Sequence, residues 1–357
     1  MSKPKVLCPV PFTSLILNPD GIVGCCREKG TKHEIGNIKN ETIEEIWNGE
    51  KLKSWRREFL TGNITTCKKE IEDSSCHLIE WNQDLHKHTQ YSEVINGPIL
   101  RLSPDINGNC NLKCPFCDVW QLPNGLYDSI EGFWEHLKTH ILKDLLQIDP
   151  LAGEPFTQKD FYKIIKLAHE VNPHCEWDFT SNGQWHFSSY IKDHLDLLKI
   201  RQFSISLDSA NTETYSKIRS PGDLNTTIKT ILALKDYRDQ RIKENRGFRL
   251  ILNFSLQQSN IYEIKDILDF CNKLELYPFI QFVYVPSELS TLSLEEGERV
   301  NILQWYIKNL TPEQLMISHR VLRPLLKSIE NTKLKAKLLK TLELLTEGKF
   351  KEFLFKL

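Results

Sequence analysis

The chain has 357 residues, of which 40% are hydrophobic and 26% charged, so it can bury a large core and is not disordered. Its 46 Lys and Arg residues nearly balance its 47 Asp and Glu residues, and the net charge of −1 argues against binding nucleic acid through a basic surface. No apolar run is long enough to cross a membrane, and the N-terminus lacks the pattern of a signal peptide. We therefore expect a cytoplasmic protein of about two domains that binds neither nucleic acid nor membranes.

The first 95 residues are rich in cysteine, glycine and turn signals. Residues 12–17 can form a strand, residues 18–21 (Asn-Pro-Asp-Gly) are a strong turn, and residues 22–23 would return as the second strand of a hairpin. Further on, Thr42 can cap a short helix, because a glutamate three residues later completes a capping box. These signals predict a small α+β domain over residues 1–95.

From Ile99 onward, strands and helices alternate regularly. The predicted strands are residues 99–105, 145–151, 175–181, 201–208, 249–256 and 279–285. The predicted amphipathic helices are residues 129–142, 158–171, 187–198, 223–239 and 261–274. This alternation indicates parallel βαβ units and an α/β domain, which we place at residues 96–290. Helical patterns continue after Pro286 and predict a helical extension over residues 291–357.

Ten cysteines are the most informative residues, and eight of them lie in the first third of the chain. Clustered cysteines in a cytosolic protein favour a metal site over disulfides. Cys110, Cys114 and Cys117 have the spacing C-x3-C-x2-C directly after the first strand of the alternating region. Thiolates bind zinc or iron–sulfur clusters, and three on one loop would leave one iron of a 4Fe–4S cluster without a protein ligand. A structural zinc site would normally need a fourth ligand.

With this motif, residues 99–286 resemble the radical S-adenosylmethionine (SAM) superfamily. The resemblance implies a partial (β/α)6 barrel of the TIM type, a catalytic 4Fe–4S cluster on the three cysteines, and SAM bound to the open iron of that cluster. In that superfamily, reductive cleavage of SAM releases a 5′-deoxyadenosyl radical that abstracts hydrogen from the substrate. The resemblance also implies a reductant protein such as flavodoxin or ferredoxin.

Motifs at the ends of later strands resemble the superfamily's contacts to SAM, in the place where barrel active sites gather. Residues 151–155 are similar to a Gly-Gly-Glu-Pro segment that binds the amino group of the methionine moiety, although Ala152 replaces the first glycine. Residues 181–183 are similar to a Thr-Asn-Gly segment near the ribose, and Ser206 and Arg219 match residues that hold the methionine carboxylate. The residues implied as cofactor contacts are Phe116, Gly153, Glu154, Ser181, Asn182, Ser206, Asp208, Arg219, Asn253 and Val283.

The N-terminal cysteines form a second pattern. Cys8, Gly21 and Cys26 have the spacing C-x12-G-x4-C, and Cys67 and Cys76 follow. This run resembles the auxiliary-cluster domains called SPASM and, in shortened form, twitch, which usually follow the barrel rather than precede it. The resemblance implies a second iron–sulfur cluster, of the 4Fe–4S type, held by these four cysteines without an open iron.

Three points about this second site stay open, two concerning its ligands and one concerning the metal that it holds. Cys25 is adjacent to Cys26 and could ligate in its place. His77 could replace one of the cysteines. The same thiolates would also suit a structural zinc ion.

The resemblance implies an enzyme that modifies a substrate, and peptides or proteins are favoured because relatives with such auxiliary domains often act on them. A small molecule such as a sugar or cyclitol is the alternative. The sequence does not tell an oxidoreductase from a transferase, and it assigns no catalytic acid, base or radical-relay residue. Two other classes stay open, a zinc-stabilised binding protein and an iron–sulfur electron carrier. The carrier would leave Gly153, Glu154 and Arg219 without a role.

Overall fold

The computed structural model describes residues 8–29, 33–72, 76 and 83–350. Its strands are β1 Ser14–Leu17, β2 Ile22–Gly24, β3 Gly36–Asn37, β4 Arg101–Pro104, β5 Gln147–Ile148, β6 Glu176–Ser181, β7 Lys199–Ser206, β8 Arg249–Leu256 and β9 Tyr277–Phe282. They form one sheet in the order β3-β2-β1-β4-β5-β6-β7-β8-β9. Strands β4 to β9 are parallel and follow chain order. The six strands of the predicted partial (β/α)6 barrel are therefore confirmed.

The N-terminal strands extend this sheet instead of forming a separate one. Strands β1 and β2 make the predicted antiparallel hairpin, with Leu17 opposite Val23. Strand β1 also pairs in parallel with β4, and Ser14 lies opposite Arg101. The sheet thus crosses residue 95, where the sequence places a domain boundary, and the boundary itself stays a prediction.

Most of the α-helices lie where the hydrophobic periodicity predicts them. They are Val10–Thr13, Ile43–Trp47, Glu50–Thr61, Lys68–Glu72, Leu126–Ser129, Phe133–His136, Lys159–Val171, Ser189–Asp196, Thr212–Ile218, Leu224–Lys243, Ile264–Leu274, Glu296–Asn309, Pro312–Ile317, His319–Lys327 and Thr332–Leu345. The capping box at Thr42 is present. The helix predicted over residues 129–142 is broken: Leu126–Ser129 ends before Gly132, which at φ +71° precedes Phe133–His136, and a π-helical segment, Leu137–Ile141, follows.

The two faces of the parallel strands differ in chemistry. Along β7, Phe203 and Ile205 are buried against the helix layer, and the Phe156 ring centre lies 5.2 Å from that of Phe203. Ser204 and Ser206 alternate with them on the opposite face. We call that opposite side the polar face. Its strand residues include Arg101, Ser103, Gln147, Asp178, Ser204, Ser206, Asn253 and Ser255.

The last four helices pack together after β9 and give the predicted helical extension. Thr311 caps the helix that starts at Pro312, and its hydroxyl accepts the N–H of Gln314. Leu322 and Leu325 are buried in this bundle. Across the described part of the chain, every helix is too short or too polar to span a bilayer.

Candidate functional site

The loop after β4 carries Cys110, Cys114 and Cys117. Cys114 is buried, and the other two thiols are half-buried. The Lys113 N–H donates to the Ser220 carbonyl at 2.6 Å and ties this loop to the segment after β7. Burial raises the pKa of Cys114 to about 11, and the charge of Cys117 raises the pKa of both other thiols further. The three thiols thus lie on one partly buried loop.

Arg219 and Asp208 form a buried ion pair beside this loop. Nε of Arg219 donates to one carboxylate oxygen of Asp208 at 2.5 Å, and the other oxygen accepts the N–H of Ser255 at 2.7 Å. The guanidinium carbon lies 5.2 Å from the centre of the Phe116 ring, and its charge partly offsets the rise that burial gives the pKa of Cys114. Among the described residues, neither Nη atom has a hydrogen-bond partner. One edge of the guanidinium is therefore free for a carboxylate ligand.

Gly153 and Glu154 form the turn after β5 and meet the end of β6. Gly153 has φ +63°, and a Cβ there would lie 2.1 Å from the Asn109 carbonyl oxygen, so only glycine fits. The buried Glu154 carboxylate accepts the Asn182 N–H at 2.7 Å, the Ser181 hydroxyl at 2.9 Å and an N–H two residues along the chain. Burial raises the pKa of Glu154 to about 7, although these hydrogen bonds act to lower it. A carboxylate has about four acceptor sites, so one remains for an ammonium group.

Asn182 and Ser181, both predicted near the ribose, have different hydrogen-bond partners. The Asn182 side-chain amide donates to Sγ of Cys110 at 3.6 Å and so connects β6 to the cysteine loop. Ser181 is buried on the helix side of β6, where its hydroxyl donates to Glu154 and accepts the indole N–H of Trp185 at 2.7 Å. The alternation of side chains along β6 turns Ser181 away from the polar face, and its ribose contact stays a prediction.

Ser206 and Asn253 lie opposite each other in β7 and β8 on the polar face. Both are buried, and within the described residues neither side chain makes a hydrogen bond. Val283, predicted beside the adenine, is buried just after β9, where its N–H donates to the Leu256 carbonyl. Two uncommitted polar groups and one apolar side chain are therefore available to a ligand.

The N-terminal segment carries the cysteines of the second predicted site. They are Cys8, Cys26, Cys67 and Cys76, the first two buried and the last two half-buried. Burial raises the pKa of Cys26 to about 12, and the charges of the other three raise that of Cys8 beyond the effect of burial. Cys25 is also buried, and the charge of its neighbour Cys26 adds to the rise of its pKa, so the choice between these two stays open. His77 lies outside the described residues.

Sequence reasoning missed a half-buried arginine that joins the two cysteine regions. Arg27, the residue after Cys26, donates to Asp105 at 2.6 Å and to Asp149 at 3.2 Å, just beyond the ends of β4 and β5. Asp105 also accepts the backbone N–H groups of residues 151–152, directly before the glycine turn. A charged residue directly after a cysteine pair was the available signal. Gln158, whose side chain donates to three backbone carbonyls around the same turn, carries no such signal.

The donors of both regions fit the groups that the resemblance implies. All ten cysteines are free thiols, so none is withdrawn into a disulfide. Among the described residues, no three Cys, His, Asp or Glu side chains form a site for a single metal ion. The free edge of Arg219, beside the cysteine loop, fits the carboxylate of SAM.

Two family models match the chain. The radical SAM superfamily matches residues 106–243. The iron–sulfur cluster-binding domain SPASM matches residues 8–77, a span that contains Cys8, Cys25, Cys26, Cys67 and Cys76. The chain thus contains a radical SAM domain preceded by a SPASM domain, as the sequence predicts. Such domains hold 4Fe–4S clusters, and the radical SAM domain binds SAM.

Individual relatives are more distant. A GTP 3′,8-cyclase of Nautilia profundicola is 28% identical over 50% of this chain and 54% of its own, and one of Synechocystis is 25% identical over 50% of this chain and 52% of its own. The chain thus spans about half the length of these curated relatives. The solved structure of SuiB from Streptococcus suis has 16% identity and a TM-score of 0.43, covering 83% of this chain and 68% of that one.

Proposed function

We propose that the protein cleaves SAM reductively and uses the product to modify a polar substrate. The observation that carries the proposal is the guanidinium of Arg219, which Asp208 holds beside the three-cysteine loop with one edge free. When bound, a cluster on Cys110, Cys114 and Cys117 would supply the electron that converts SAM to a 5′-deoxyadenosyl radical.

The chain's own residues would bind and orient the cofactor. Arg219 would donate two hydrogen bonds to the SAM carboxylate, because Asp208 fixes the guanidinium plane. Glu154 would accept the ammonium group with its remaining acceptor site. Ser206 and Asn253 would bond to polar groups over the polar face, where no protein partner competes among the described residues.

The second cluster would be held by Cys8, Cys26, Cys67 and Cys76. Four protein thiolates leave no open iron, so this cluster would bind no substrate and would serve electron transfer or structure. Burial supports that role, since the thiols of Cys8 and Cys26 are almost closed to solvent.

For the substrate we favour a small polar molecule, in place of the peptide expected from the sequence. The relatives named GTP 3′,8-cyclase support this choice, and so do the hydroxyl and amide side chains of the polar face. The reductant would be a protein such as flavodoxin or ferredoxin. A reducing compartment, the cytoplasm, suits a chain whose ten cysteines are all free thiols.

Anaerobic reconstitution with iron and sulfide tests this proposal. The loaded protein should absorb near 400 nm, hold about eight irons, and release 5′-deoxyadenosine when dithionite and SAM are added. The variant Cys271→Ala, which changes a buried cysteine outside both regions, should behave like the parent protein. A colourless protein that holds only zinc would favour the binding protein, and a brown protein inert to SAM would favour the electron carrier.

A further inference from the structure

Arg27, in the N-terminal segment, bonds to residues at the ends of two barrel strands. It is half-buried and lies three residues after β2, which belongs to the same sheet as the barrel strands because β1 pairs with β4. Nη1 donates to Asp105 Oδ2 at 2.6 Å, Nη2 to the Asp149 carbonyl at 2.6 Å, and Nε to Asp149 Oδ2 at 3.2 Å. The planar guanidinium thus reaches both aspartates at once, whereas a lysine ammonium is a single point charge.

Asp105 connects Arg27 to the turn after β5. Asp105 is buried, and its Oδ1 accepts the backbone N–H groups of Leu151 at 2.7 Å and Ala152 at 3.1 Å. Nη2 of Arg27 approaches the same oxygen at 3.4 Å. Removing the cation from a buried carboxylate is costly, because the charge is then left without compensation. We therefore expect Asp105 to lose its fixed orientation toward the two N–H groups when Arg27 is absent.

The turn that Asp105 holds is also packed closely against the cysteine loop. The Glu154 N–H donates to the Asn109 carbonyl at 2.9 Å, and a Cβ on Gly153 would lie 2.1 Å from the same oxygen. Residues 151–154 are consecutive, so a shift of the backbone at residues 151–152 also moves the Glu154 carboxylate. The aim of that carboxylate matters, because its other acceptor sites are already used.

We propose that Arg27 is a positioning residue for SAM: by fixing Asp105, it holds the turn at residues 151–154 so that the Glu154 carboxylate meets the ammonium group of the methionine moiety. The inference rests on the proposed function, which places SAM at this turn. The N-terminal segment then contributes to the cofactor site of the barrel through hydrogen bonds, in addition to carrying a second cluster. Arg27 acts through Asp105 and does not itself bind SAM.

The experiment is anaerobic calorimetry of the full-length reconstituted protein with two ligands. SAM carries the ammonium group, whereas 5′-methylthioadenosine lacks the amino and carboxylate groups of the methionine moiety. Arg27→Met removes the donors, and Asp105→Asn removes the charge that they bind while keeping the size of the side chain. The matched control is Arg201→Met, because Arg201 is also half-buried and also pairs with a buried aspartate, but it bonds to Asp178 and Glu176 rather than to Asp105.

We expect the Kd for SAM to rise about tenfold in Arg27→Met and in Asp105→Asn. The variant with both changes should bind SAM no more weakly than the weaker single variant, because both changes break the same connection. The Kd for 5′-methylthioadenosine should change less than about twofold in each variant. Arg201→Met should match the parent protein with both ligands.

An unchanged Kd for SAM in both single variants would overturn the proposal. An equal rise for the two ligands, or an equal rise in Arg201→Met, would also overturn it, because the barrel would then have loosened in general. Additive losses in the double variant would show that Arg27 and Asp105 act separately, against the proposal. If Arg27→Met does not fold or loses its clusters, Asp105→Asn decides. Failure of the proposed function looks different, since the parent protein would then bind no SAM.

Discussion

The two cysteine regions of this chain differ in what surrounds the sulfur atoms. The loop at Cys110–Cys117 lies beside Arg219, whose guanidinium has one free edge, and the polar face carries the uncommitted side chains of Ser206 and Asn253. The N-terminal group has Cys8, Cys25 and Cys26 buried at 2–9% exposure. The first environment suits a site that accepts an outside ligand, whereas the second suits a site that is closed to solvent.

The comparison predicts the largest effect for removal of one cysteine from each region. Cys114→Ala and Cys26→Ala should each lose about half of the iron, because each loses one of two four-iron clusters. Only Cys114→Ala should abolish the spectral change on adding SAM. The check is iron content together with electron paramagnetic resonance with and without SAM. The comparison fails if Cys26→Ala abolishes the SAM response while Cys114→Ala keeps it.

The buried carboxylate of Glu154 gives the first region a pH-dependent stability. Burial raises the pKa of Glu154 from 4.5 to about 7, so its contribution to stability is complete below pH 4.5 and is lost as the pH rises through 7. The free energy of unfolding should therefore fall by up to roughly 3 kcal/mol between pH 5 and pH 8 from this group. Glu154→Gln should remove that part of the decline.

Urea denaturation of the protein without clusters measures this effect at both pH values. The matched control is Glu131→Gln, which changes an exposed glutamate before helix Phe133–His136. An identical pH dependence in Glu154→Gln and the parent protein would contradict the assignment.

Replacing the cofactor-facing arginine sharpens the comparison further. Arg219→Lys keeps the charge but loses the paired donors, and we expect the Kd for SAM to rise about 10- to 100-fold, or roughly 1.4–2.8 kcal/mol. Anaerobic calorimetry of the reconstituted protein measures it. The control is Lys217→Met, because Lys217 lies two residues before Arg219 on the exposed side of helix Thr212–Ile218. An unchanged Kd in Arg219→Lys would show that its free edge does not bind SAM.

The smallest effect is expected at the glycine turn. Gly153→Ala should destabilise the protein by about 1–3 kcal/mol, because the new Cβ would meet the Asn109 carbonyl oxygen and the residue would have to keep φ +63°. Gly125→Ala is a matched control, since Gly125 has φ +77° with nothing within 4 Å. The difference between the two thermal midpoints isolates the steric contact, and equal midpoints would mean that the turn is looser than described.

Local patterns were sufficient to predict the parallel strands and the three-cysteine loop. The hydrophobic pattern within each segment is enough to identify a strand, and the spacing of the three cysteines is contained in eight residues. The pairing of β1 with β4 could not be predicted, because it joins segments more than 80 residues apart and no local signal specifies it. The partners of Arg27 are equally remote, at 78 and 122 positions along the chain. Asp208 was assigned to the cofactor, but only the fold shows that it holds Arg219.

The central claim is that the Cys110–Cys117 loop leaves one iron open to SAM. The most direct test is electron–nuclear double resonance of the reduced protein with SAM labelled with 15N and 17O in its methionine moiety. The account predicts hyperfine coupling from both labels, present in Cys26→Ala and absent in Cys114→Ala. A reduced cluster that shows no coupling to either label would contradict it.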